Sequence, residues 1–243
     1  MSTAITVKDL RKSFGDIEAL KGANFQVLQN EVFGLIGPNG AGKTTAIRIL
    51  STLIAPTSGL AEVFGHDVVK EPEKIRGMVS YLPEEAGAYP YLTGLEYLEF
   101  MAGFYAANRE ELDHIVQAGR EISGLGDRIK DRVNGYSRGM RRRLLIARSL
   151  MMRPKLAILD EPTSGLDVIQ AVHVRQMIKT YAKEYGVTVL VSSHNMLEVE
   201  YLCDRVTLIN KGVVVADGTP SELKTRFNAS NLEQVFMEAA QIG

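Results

Sequence analysis

The chain has 243 residues, 45% hydrophobic and 23% charged, the balance of a folded globular protein with room for one sizeable core. Its 28 Lys and Arg stand against 29 Asp and Glu, and the resulting net charge of -1 lacks the basic surplus of a dedicated nucleic-acid binder. A lone cysteine, Cys203, excludes an intramolecular disulfide and suits a reducing cytosol.

In chain order, Ala4–Val7 is the first strand candidate, so the opening MSTAITVKDL reads as a strand and not as a signal segment. Ala23–Leu28 and Leu60–Phe64 have the hairpin-like patterning of an antiparallel portion. Between them, Glu31–Ile36 is an apolar strand that leads through a glycine-rich loop into a helix pattern over Thr44–Leu53. After the strand Met78–Leu82 the character changes, and residues from about 84 to 153 read as helical. Thr93-Gly-Leu-Glu96 is a capping box, a second helix runs from near Arg109 to Ser123, and a third begins near Arg138 with Met140, Leu144, Ala147 and Met151 on one face. The arginines of that third helix (Arg138, Arg141, Arg142, Arg143, Arg148, Arg153) read by default as a solvated face. Strands Leu156–Asp160, Val187–Ser192 and Val206–Ile209 follow. Thr219-Pro-Ser-Glu222 and Ser230-Asn-Leu-Glu233 then cap the helices of a tail over residues 219–243, the second bearing Leu232, Val235, Phe236 and Ala239.

This order predicts an α/β fold: one domain over residues 1–243, a mostly parallel sheet, a flanking antiparallel portion and a helical lobe inserted at about 84–153. No apolar stretch nears the ~20 residues of a membrane span, so the chain is not expected to enter a membrane by itself.

Gly37, Pro38, Asn39, Gly40, Ala41, Gly42, Lys43 and Thr44 match the P-loop pattern between a strand and a helix, with Thr45 next. The glycines let backbone N–H groups turn inward toward phosphate oxygens, the helix adds its positive end, and Lys43 neutralises the outer phosphates. The Thr44 hydroxyl can reach a magnesium ion. Farther along, Leu156–Asp160 ends in two carboxylates at the edge where α/β sheets bind ligands. Asp160 is suited to the magnesium shell and Glu161 to polarising an attacking water. A nucleotide's phosphates with Mg2+ are thus the expected ligands, and the P-loop by itself leaves motors, GTPases, kinases and transporters open.

With these motifs placed, the sequence resembles the ABC ATPase family, a P-loop NTPase fold, over essentially its whole length. Tyr136-Ser137-Arg138-Gly139-Met140 resembles the signature motif, Ser164-Gly-Leu-Asp167 the D-loop, Ser192-Ser-His194 the switch histidine and Ser13-Phe14-Gly15 the adenine-stacking aromatic loop. The resemblance implies a homodimer with ATP between one chain's P-loop and the other's Ser137 and Gly139, with Asp167 also contacting across the dimer. Asp167 equally reads as a helix N-cap with Gln170 three residues on. It further implies catalytic roles for Glu161 and His194, and a separate transmembrane permease that would hold the chain at the cytoplasmic face of the membrane. Arg138 and Met140 depart from the usual signature. Tyr81-Leu-Pro-Glu84 puts a glutamate where the family's Q-loop commonly has glutamine, making Glu84 a third candidate metal contact or a solvated acid on a loop. These departures, and the closing Asn231–Phe236 segment, resemble the ATPases of ABC-2-type exporters, a group with drug-resistance-like and sodium-extruding members. The alternative, an ABC ATPase acting on ribosomes or DNA, fits poorly with one P-loop and a short lobe.

Overall fold

The computed structural model describes residues 2–242. Its strands are β1 (Thr3–Phe14), β2 (Ile17–Leu28), β3 (Val32–Ile36), β4 (Ser58–Val63), β5 (His66–Asp67), β6 (Val79–Leu82), β7 (Leu156–Asp160), β8 (Thr188–Ser193), β9 (Arg205–Asn210) and β10 (Val213–Gly218). Its helices are α1 (Lys43–Leu50), α2 (Pro72–Arg76), α3 (Gly94–Ala102), α4 (Arg109–Ser123), α5 (Arg138–Leu150), α6 (Val168–Tyr185), α7 (Met196–Leu202), α8 (Pro220–Arg226) and α9 (Leu232–Ile242).

The large sheet has the order β10-β9-β3-β8-β7-β6, with every pair parallel except β10 on β9. β3, β7 and β8 are buried at every position, because both faces of a parallel sheet are covered. Alternation then divides their side chains between two cores. Phe33, Leu35, Ile158 and Leu190 face α1 and the four-stranded antiparallel sheet β2-β1-β4-β5. Ile36, Leu159, Val189 and Val191 face the core shared with α5, α6, α7 and the tail residues Leu223, Leu232, Val235 and Ala239.

The expected α/β class and the antiparallel flank are present, and several edges differ. β1 runs to Phe14, well beyond Val7, because register shifts between Val7 and Leu10 break the two-residue alternation and leave Lys8–Ser13, polar except for the buried Leu10, without a readable face. β2 likewise begins at Ile17, earlier than Ala23. β10 had no counterpart in the sequence reading, although Lys211-Gly212, both at positive φ, turns the chain into it. Between β6 and β7 the chain forms α3, α4 and α5. Thr93 caps α3 in the expected box with Glu96, and Thr219 does the same for α8 with Glu222. The cap before α9 lies one residue later than expected. Asn231 Oδ1 accepts from Gln234 N at 2.9 Å, while Gln234 Oε1 accepts from Ser230 N at 2.8 Å. Asn231 is thus the side-chain cap instead of the expected Ser230, and Gln234 reaches back to Ser230 without closing a reciprocal box on Asn231.

α7 presses on β3 at Gly34. A Cβ there would lie 2.9 Å from Val199 Cγ1, 3.1 Å from Cys203 Sγ and 3.2 Å from Val206 Cγ1. We expect Gly34→Ala to destabilise the fold by about 1–3 kcal/mol through overpacking. Urea unfolding followed by circular dichroism measures this, and an unchanged midpoint would mean that α7 retreats freely.

Candidate nucleotide site

The carboxyl ends of β3, β7 and β8 share one edge of the sheet. From β3 the loop Gly37–Gly42 leads into α1, whose N-terminus has no side-chain cap, so its first N–H groups are left for a ligand. Gly42, at φ 106°, lies so close to the strand beneath it that a Cβ would meet Ala19 O at 2.7 Å. Lys43 is buried and folds back over the loop, its Nζ donating to Gly37 O at 2.7 Å and Pro38 O at 3.2 Å.

Lys43 Nζ also lies 3.4 Å from Glu161 Oε1, and the other oxygen of Glu161 lies 2.9 Å from His194 Nδ1. Glu161 is 6% exposed, whereas the His194 side chain is 48% exposed, so the histidine bridges the buried carboxylate to the open side of the cleft. Asp160 sits one residue earlier, 2% exposed, accepting from Ser192 Oγ and facing the Tyr81 hydroxyl at 3.5 Å. Burial, and after it the nearby charges of Glu161 and Glu84, raise the Asp160 pKa, while the Ser192 and Thr44 hydroxyls oppose the shift.

A cavity of about 300 Å³ opens over these groups, lined by Phe14, the loop from Asn39 to Thr45, Glu84 and Glu161. Phe14 is half exposed at its rim, with Lys12 Nζ 4.9 Å from the ring centre. Ten of the predicted residues therefore border one cavity: Phe14, Asn39, Gly40, Ala41, Gly42, Lys43, Thr44, Thr45, Glu84 and Glu161. Glu84 also turns elsewhere, its Oε1 accepting from Ser164 Oγ at 2.9 Å. Among the described residues no three His, Cys, Asp or Glu groups converge as a metal cage. A magnesium ion held here would depend on Thr44, Asp160 and the phosphates of its nucleotide, a donor set typical of that ion.

Ser137, Gly139 and Asp167 lie outside this cavity. Ser137 caps α5 by accepting from Met140 N at 3.2 Å, and Asp167 caps α6 by accepting from Gln170 N at 2.9 Å, as its spacing predicted. Gly139 lies against Gln170, where a Cβ would meet Oε1 at 2.5 Å. The expectation of a solvated arginine face on α5 fails at Arg142, which is 8% exposed and donates only to main-chain carbonyls. A signal existed in the spacing, since Gly139, Arg142, Ile146 and Ser149 form the helix's inward stripe.

Strand, phosphate loop, uncapped helix end and paired carboxylates define a P-loop ATPase core with helices inserted before the strand that carries the carboxylates. The ABC transporter family profile matches residues 20–164, and the chain belongs to that family. It is 37% identical over 231 residues to the linearmycin resistance ATP-binding protein LnrL of Bacillus subtilis, covering 95% of this chain and 74% of that one. It is 38% identical over 241 residues to the daunorubicin resistance ATP-binding protein DrrA3 of Streptomyces coeruleorubidus, covering 99% and 76%. Among solved structures, an ATP-binding subunit of an ABC transporter superposes with a TM-score of 0.84 at 28% identity, covering 98% of this chain and all of that one. The chain is an ATPase of the transporter class, and its relatives are of the exporter kind that the motifs resembled.

An ionised Asp160 weighs against the nucleotide-free fold above its raised folded pKa, and the penalty fades as pH falls through that value. Asp160→Asn should therefore raise the unfolding midpoint of the nucleotide-free protein, because the amide carries no charge to desolvate. Magnesium-dependent hydrolysis should be lost in the same protein. Calorimetry and a phosphate-release assay test the pair, and a lowered midpoint would contradict the sign.

Proposed function

We propose that the chain powers an ABC-2-type exporter by binding Mg·ATP in the Lys43–Glu161 cleft, pairing with a second copy and driving a separate permease. The observation that carries this reading is the chain of contacts Lys43–Glu161–His194 beneath the uncapped end of α1. An incoming terminal phosphate competes for Lys43 and frees the Glu161 carboxylate to orient and polarise water. His194, exposed at the mouth, then has a phosphate oxygen within reach. Phe14 offers its half-exposed ring to the adenine base. Magnesium, bound through Thr44 and Asp160, would supply charge neutralisation at the phosphates. Glu84 adds a carboxylate at the cavity's edge.

In the homodimer, Ser137, Gly139 and Asp167 lie on the surface that closes over the partner's nucleotide, with the N-terminus of α5 favouring phosphate. The permease reading rests on a second surface. A groove of about 540 Å³ between α3 and the ends of β6 and α5 is lined by Met101, Tyr105, Met151, Met152, Arg148 and Tyr81. Beside it Tyr89, Phe100 and Phe104 stack edge to face, each of the three largely exposed. Methionine, aromatic and arginine side chains are the composition of protein interfaces, so a permease segment is placed here. Through that permease the proposal puts the chain at the inner face of the membrane; no described helix is long and apolar enough to cross a membrane. The names of the relatives make linearmycin and daunorubicin the first compounds to assay as substrates.

Glu161→Gln should retain ATP binding and accumulate a Mg·ATP dimer, since the clamp contacts remain when the polarising carboxylate is gone. Size-exclusion chromatography reads this, and a persistent monomer would count against head-to-tail pairing. Lys43→Ala should weaken nucleotide binding at least about tenfold, given ~1.5–3 kcal/mol for a charge-assisted contact. Phe104→Asp should reduce co-purification with the permease, with nucleotide affinity of the isolated subunit as the folding control. Recovery with ribosomes or DNA and no membrane protein would overturn the transporter assignment.

A further inference from the structure

Arg142 joins three segments that are far apart in sequence. From the middle of α5, its Nε donates to Pro162 O at 2.9 Å, its Nη1 to Pro83 O at 3.3 Å and Glu84 O at 3.0 Å, and its Nη2 to Asp160 O at 2.8 Å and Glu161 O at 2.9 Å. The guanidinium has five N–H donors, and here five carbonyl oxygens receive them. A buried cation is costly without such partners. Burial pulls the Arg142 pKa down to about 10, and the charges of Glu84 and Asp160 pull the other way.

The strained residue in this arrangement is Glu161. Its φ of 48° places a side-chain-bearing residue in the left-handed region, which persists only where surroundings hold it. Two groups hold the turn from opposite ends. On the amide side, Glu161 N donates to Ser192 O at 3.2 Å and Ser192 Oγ at 3.0 Å. On the carbonyl side, Arg142 Nη2 binds Asp160 O and Glu161 O. Between these anchors the carboxylate is aimed at Lys43 and His194. The other branch of the guanidinium grips the loop of Glu84, whose side chain reaches Ser164 on the segment after β7.

We propose that Arg142 is a positioning residue for hydrolysis. It holds the left-handed turn that aims Glu161, and it makes that aim depend on where α5 and the Glu84 loop sit. The proposal rests on the reading of Glu161 as the group that polarises water. Because α5 belongs to the inserted helices and the Glu84 loop leaves β6 beside the permease groove, displacement at either is passed to the catalytic carboxylate through one side chain. Lysine cannot copy the contact, having three donors on a point charge and no planar fork. Glutamine offers one amide, and methionine fills the volume with no donor.

The test compares Arg142→Lys, Arg142→Gln and Arg142→Met in the full chain, measuring kcat, KM and nucleotide affinity in a non-hydrolysing assay. With a misaimed carboxylate, kcat should fall about tenfold for lysine and about a hundredfold for methionine, while nucleotide affinity stays within about threefold. Placed on Glu161→Gln, the lysine change should lower the residual single-turnover rate by less than about twofold, because the group it positions is already gone. Parental kcat in Arg142→Gln or Arg142→Met would overturn the proposal. So would parallel losses of kcat and affinity, the pattern of a loosened fold. Should the methionine variant fail to fold, the lysine and glutamine variants decide on the same criteria. A Glu161→Gln protein with parental hydrolysis would instead overturn the underlying reading of Glu161, a result separable from the behaviour of the Arg142 variants.

Discussion

Pairing of β3 with β8 and of β8 with β7 runs in parallel to a common end, with Ile36 opposite Ser193 and Asp160 opposite Ser192. That register delivers the phosphate loop, the two carboxylates and His194 to one edge, although they leave three strands far apart in sequence. A one-residue slip would reverse which face each strand buries, separating the two apolar cores from the layers that cover them. The Lys43–Glu161–His194 contacts of the nucleotide cleft depend on that pairing. The large apolar area sealed on both faces of β3, β7 and β8 is what makes it rigid.

Within the cleft, the nucleotide-free protein satisfies itself. Lys43 turns onto carbonyls of its own loop and onto Glu161, so a buried cation and a buried carboxylate each have a partner before substrate arrives. Binding therefore exchanges one set of contacts for another and does not create them from open water. The exchange leaves Asp160 as the group whose charge is least compensated in the free state, through burial and two acidic neighbours. Under the proposed binding of Mg·ATP, a cation held at Asp160 would relieve it, so the residue that burdens the empty fold would contribute to the filled one.

The parts of this site legible in the sequence were those with a short, contiguous pattern. The phosphate loop, the Asp160–Glu161 pair and the Thr93 and Thr219 caps each sit within a few consecutive residues, where local chemistry decides the conformation. What escaped depends on partners distant in the chain. The far half of β1 is a strand because β2 and β4 pair with it across register shifts, and no alternation marks that. Arg142 reads in the sequence like its neighbours because a guanidinium can donate to water or to five carbonyls, and only the packing of α5 over β7 selects the latter. The fork at Ser230 and Asn231 was a choice between two good caps separated by one residue, settled by which glutamate or glutamine could reach back.

The tight seat of α7 on β3 also fixes the fate of the chain's one thiol. Cys203 is buried against Gly34, and burial pushes its pKa up, so the nucleophilic thiolate is scarce and out of reach of bulky reagents. The native sequence is therefore expected to react little with maleimides and spin labels. A cysteine introduced at an exposed position such as Tyr201 would carry the label alone. Distances between two copies can then be followed through the ATP cycle without first stripping a residue from the core.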